Sequence, residues 1–76
     1  MKREKNIRLK NDAMKIFLEL YGIEVAKQLN NFEDPRKYPK DFLEECTYFL
    51  SKLMGEEPAK KRLLPLYEKY IQKRHS

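Results

Sequence analysis

Apolar side chains recur along this chain at intervals of three and four, the spacing at which a helix returns to the same face. No stretch alternates apolar and polar residues over the length of a strand. The clearest segment spans about Pro39 to Met54. Stepped at about 100° per residue, its Phe42, Leu43, Cys46, Phe49, Leu50, Leu53 and Met54 fall within an arc of roughly 140°, and the other positions are mostly polar. Gly55 follows, suited to the left-handed residue that ends a helix. A second periodic segment, about Pro58 to Lys73, puts Ala59, Leu63, Leu66, Tyr67, Tyr70 and Ile71 on one face. Pro65 sits inside it on the outer side and removes a backbone donor, so a kink or a split after Leu64 is expected.

Near the start, about Asn11 to Tyr21 is helical, with Asn11 or Asp12 as the N-cap. Gly22 interrupts the pattern, and a shorter helix is expected over about Ile23 to Asn31, separate from the first or continuous with it. The segment from Asn30 to Lys40 holds two prolines and two adjacent asparagines and is a connector. Asp34-Pro35 suits one helical turn there, and Phe32 and Tyr38 are expected to pin it to the core. The expected fold is all-α: a compact bundle of about four short helices, a Pro-rich loop at 32–40 and mobile basic termini. The expected organisation is a basic arm over 1–8, one helical domain over 9–73 and a frayed tail over 74–76.

The first helix carries more apolar surface than one core needs. Seven of the nine positions from Ala13 to Tyr21 are apolar and cover two faces: Ala13, Ile16, Phe17 and Leu20 on one, Met14, Leu18 and Tyr21 on the other. A helix apolar on both sides is either central to its own domain or buries its second face against another chain. Met14, Leu18 and Tyr21 are therefore candidate protein contacts. Val25 and Leu29 extend the stripe if the helix continues through Gly22. Tyr48 adds an exposed aromatic opposite the core face of its helix, among Asp41, Glu45 and Lys52, and completes the candidate interface.

At 76 residues the chain is one domain of a size at which stability is marginal, and docking would help it. Its net charge of +5 is unevenly placed. Residues 1–10 are net +4, residues 60–76 net +5, and the middle net −4. Lys2, Arg3, Lys5 and Arg8 at one end, and Lys60, Lys61, Arg62, Lys69, Lys73 and Arg74 at the other, are candidate phosphate contacts. Arg62, Lys69 and Lys73 stack along one flank of the last helix, the electrostatic footprint of nucleic-acid binding. The acidic middle would repel a phosphate backbone and argues the other way.

Catalytic constellations are missing. The one histidine, His75, stands beside the C-terminus, and Cys46 lies on an apolar helix face where a thiol packs as a small hydrophobe. The acidic pairs Glu33-Asp34, Glu44-Glu45 and Glu56-Glu57 would need a concave, partly dry site for carboxylate chemistry, and a four-helix domain this small has little room for one. Glu56 and Glu57 suit a helix N-terminus electrostatically. No phosphate-cradling glycine loop or paired-cysteine spacing occurs. The expectation is a chain with no catalytic, metal or cofactor site, no small-molecule substrate and no membrane span. A lone cysteine fits a reducing compartment, and the expected home is the cytoplasm.

Asp34-Pro35-Arg36-Lys37-Tyr38, Phe42, Leu53-Met54-Gly55, Ala59 and Tyr67 form a pattern that resembles small helical domains of archaeal proteins, some of them regulatory output modules. The resemblance spans about Tyr21 to Tyr70 and implies a helical fold and an adaptor role. Two functional expectations result: a helical protein-interaction module, self-associating or an accessory subunit of a larger complex, and, as the alternative, a nucleic-acid accessory protein that uses its basic ends.

Overall fold

Two glycines set the path of the chain. In the computed structural model, which describes the backbone from Lys2 to Ile71 and side chains from Arg8 onward, α1 spans Lys2–Tyr21 and α2 spans Ile23–Ala26, passing into a 3-10 turn over Lys27–Asn31. Helix α3 spans Pro39–Met54, and α4 spans Glu56–Leu66, passing into a π-helical turn over Tyr67–Ile71. Gly22 (φ 93°, ψ 179°) joins α1 to α2, and Gly55 (φ 99°, ψ 157°) joins α3 to α4. This is a region of backbone space open essentially to glycine alone. The Gly22 N–H donates to the Leu18 carbonyl at 2.9 Å while its own carbonyl accepts from Ala26 at 3.1 Å. Gly55 repeats the arrangement, donating to Ser51 at 2.9 Å and accepting from Ala59 at 3.2 Å. Each glycine thus closes one helix and opens the next.

The fold is all-α, and no strand occurs among the described residues. Helix α1 starts at Lys2, well before the expected Asn11. Residues 2–10 contain no Gly or Pro and are mostly good helix formers. Leu9, one turn before Ala13, extends the core stripe and is fully buried. Asn11 and Asp12 consequently lie inside the helix and do not cap it. Of the two outcomes expected at Pro65, a kink or a split after Leu64, the split does not occur: α4 runs through Pro65, and the chain widens into a π turn two residues later. Pro65 faces solvent, and the carbonyl that loses its donor belongs to exposed Lys61, where water can replace the missing bond. Residues 72–76, including the expected tail, lie outside the described residues.

The core is built from Leu9, Ala13 and Phe17 of α1, Leu29 of the 3-10 turn, Phe42, Leu43, Cys46 and Leu50 of α3, and Ala59 and Leu63 of α4. A chain of aromatic contacts ties the connector to it. Phe17 stacks on Phe49 with centroids 5.6 Å apart. Phe32 meets Phe42 and Phe49 edge-on at 6.4 and 5.8 Å. Phe32 and buried Pro35 hold the connector down; Tyr38, expected to help, is exposed. The connector turns at Asp34, whose carbonyl accepts from Lys37 and Tyr38. Its carboxylate accepts the Arg36 backbone N–H at 3.0 Å. That bond, with the Arg36 guanidinium alongside, holds the Asp34 carboxyl below its ordinary range.

Candidate interaction surfaces

The outer side of α1 keeps an apolar ridge. Leu18 and Tyr21, one turn apart, are 46% and 37% exposed, and Ile23 beyond the glycine joint is 53% exposed. Met14 and Val25 are half-buried against the core. Leu29, grouped with them in the sequence, is only 1% exposed and belongs to the core. Grouping it with Leu18 assumed one continuous helix; the positive φ of Gly22 redirects the chain and turns Leu29 inward. Ile23 was missed because its place is set by the same joint.

Tyr48 belongs to a different surface. It is 65% exposed and lines an open groove of about 700 Å³ with Asn31, Phe32, Glu33, Asp41, Glu44, Glu45, Phe49 and Lys52. No described side chain of α1 lines it. On α3, Asp41, Glu44, Glu45, Tyr48 and Lys52 recur at helical spacing on the side away from the core. Phe32 and Phe49 are packed on the core behind them. The connector closes one side, where the Glu33 backbone N–H donates to Glu45 Oε1 at 2.9 Å. The Lys52 ammonium sits 4.5 Å from the centroid of the Tyr48 ring. Two acidic pairs that are unremarkable along the sequence thus send Glu33, Glu44 and Glu45 to one place, beside Asp41.

Arg8, Lys60, Lys61, Arg62 and Lys69 are exposed. Lys60 pairs with Glu56 at 3.9 Å. Lys69 reaches Asp12 Oδ2 at 3.4 Å, and the Tyr70 hydroxyl donates to the same oxygen at 2.7 Å. Burial first, and then the hydrogen bond and charge of Asp12, push the Tyr70 phenol up to about 12. This cluster fastens the π turn to the middle of α1. The side chains of Lys2, Arg3 and Lys5, and the whole of Lys73 and Arg74, lie outside what the structure describes.

Reactive chemistry finds little support. Cys46 is fully buried, and burial, with Glu45 nearby, drives its thiol pKa far upward, so it has no thiolate to offer. The Thr47 hydroxyl donates to the Leu43 carbonyl at 2.8 Å. With that proton committed, Tyr67 donates to Thr47 at 3.4 Å. Among the described residues no three His, Cys, Asp or Glu side chains are placed to hold a metal ion. None of the described helices is long and apolar enough to cross a membrane. No protein-family model matches the sequence, and neither a curated protein nor a solved structure matches it.

Proposed function

We propose that the chain is a non-enzymatic helical interaction module of the cytoplasm, and that it pairs with a second copy of itself through the α1 ridge. The carrying observation is the run Leu18, Tyr21 and Ile23, three large apolar side chains between 37% and 53% exposed within six residues. Exposed apolar clusters on a small domain mark docking sites. Fully burying such a side chain yields about 1.5–3 kcal/mol, so the exposed part of each is worth about 1 kcal/mol. Two-fold pairing doubles the count and gives a gross gain on the order of 6 kcal/mol, from which the cost of association is subtracted. The pairing is therefore weak and concentration-dependent.

Light scattering over a concentration series taken to the solubility limit tests the proposal, since a net gain of about 2 kcal/mol corresponds to a Kd of roughly 30 mM. Self-association that Leu18→Glu abolishes, with helicity unchanged, supports it. A monomer at every concentration, or association indifferent to Leu18→Glu, overturns it. The alternative, phosphate contact through the basic ends, draws on the exposure of Arg8, Lys60, Lys61 and Arg62. Parallel samples with a short duplex and a short single strand examine it, since such binding must weaken steeply with salt.

A further inference from the structure

We propose that the α3 groove receives an extended basic segment of a partner protein, whose alternate Arg or Lys side chains meet Asp41 and the Glu44-Glu45 pair and then lie on the Tyr48 ring. Among the described residues, four carboxylates and one ammonium line the groove, so its field favours cations. The ion pairs among the described residues engage Asp34, Glu56 and Asp12, none of them in the groove. Phe32 and Phe49 behind the carboxylates offer apolar surface to the methylene stems of Arg or Lys, which pack well against aromatic faces. Lys52, 4.5 Å from the Tyr48 centroid, already occupies the position that an incoming cation would take.

Spacing argues for a peptide over a small cation. Asp41 and Glu45 are separated by one helical turn, about 6 Å along the axis, and Tyr48 lies about 4.5 Å beyond. Alternate side chains of an extended chain are about 6.6 Å apart, close to the first of these steps. From Asp41 to Lys52 the face runs about 16 Å, room for about five extended residues. The proposal shares with the previous one only the premise that the partner is a protein. It uses other residues, so Leu18→Glu must leave peptide binding unchanged.

The test is calorimetric titration of the chain with a capped peptide of three Arg-Ser repeats, with spermidine as the small-cation control. Asp41→Asn with Glu44→Gln removes two exposed carboxylates, while Glu45 is spared because it holds the Glu33 backbone. The expected result is peptide binding that this double variant weakens by about ten-fold or more, and that salt above the physiological range suppresses. Tyr48→Ala weakens it as well. Lys52→Gln, which removes the resident competitor, tightens it, a gain that unfolding cannot produce. Spermidine binding as tightly as the peptide, equal binding by the carboxylate variant, or no binding by the Lys52→Gln chain overturns the proposal.

Discussion

Replacing Gly22 by alanine of either hand separates backbone geometry from packing. At φ 93° and ψ 179° an L-residue carries a strain of about 1–3 kcal/mol. The Cβ of an L-alanine there would meet nothing within 4 Å, so a cost that appears comes from the backbone alone. For D-alanine the mirror-image conformation is ordinary extended backbone. It should stabilise the fold by about 0.4–1 kcal/mol by narrowing the unfolded ensemble. L-alanine narrows the unfolded ensemble equally, so the two alanines should differ by the strain alone, about 1–3 kcal/mol, and at about 4–8 °C per kcal/mol for a domain of this size the melting temperatures stand well apart. Cys46 provides a ligation junction, so a synthetic fragment carrying either alanine at position 22 can be joined to the remainder of the 76-residue chain. Thermal unfolding followed by circular dichroism then ranks the parent and the two diastereomers. Equal melting temperatures for the L- and D-alanine proteins would refute the one-residue joint.

The Asp12–Tyr70 bond gives a pH test. Tyr70 holds its proton up to about 12 when folded, against 10.0 as its ordinary value. Between these values the folded state binds more protons than the unfolded one, so the contribution is complete below pH 10 and is lost as pH rises toward 12. Tyr70→Phe should cost about 1 kcal/mol at pH 7, as expected for one hydrogen bond whose acceptor stays partly solvated. In denaturant titrations its deficit against the parent should shrink above pH 10; a constant deficit would contradict the assignment. Cys46, fully buried with its thiol pKa driven upward, should react with a disulfide reagent only as fast as the chain opens. Rapid labelling of the native protein, unaffected by denaturant, would show that the thiol is exposed.

Helix α3 was legible in the sequence to the residue, because a one-sided apolar stripe, a proline at the first position and a terminal glycine all agree. The start of α1 was not. Its first turns carry charge without an apolar run, and Leu9 declares itself only when packed against its neighbours. The π turn was also hidden, since nothing in the apolar spacing after Pro65 distinguishes it from a continuing α-helix. Among surface residues, a helical wheel places Tyr48 opposite its core face and Leu18 and Tyr21 on a second apolar face whose burial the sequence leaves open, and all three are exposed. The wheel fails at Leu29 because periodicity cannot carry phase across a joint with positive φ.

The acidic groove is a product of the same joints. In a chain with 17 Lys and Arg against 12 Asp and Glu, cations are not scarce, yet among the described residues one lysine alone lines the groove. The sequence shows why: α3 carries Asp41, Glu44 and Glu45 on its outer side in the net-negative middle, while the bases cluster toward the ends. Gly55 starts α4 directly after α3, and the bases of α4, Lys60 and Lys61 among them, point to solvent elsewhere. No residue of α4 reaches the groove. The connector then adds Glu33 by bonding its backbone to Glu45. Charge segregation along the chain thereby becomes charge segregation in space, and an incoming basic segment would supply the positive partner that the groove's own walls provide only through Lys52.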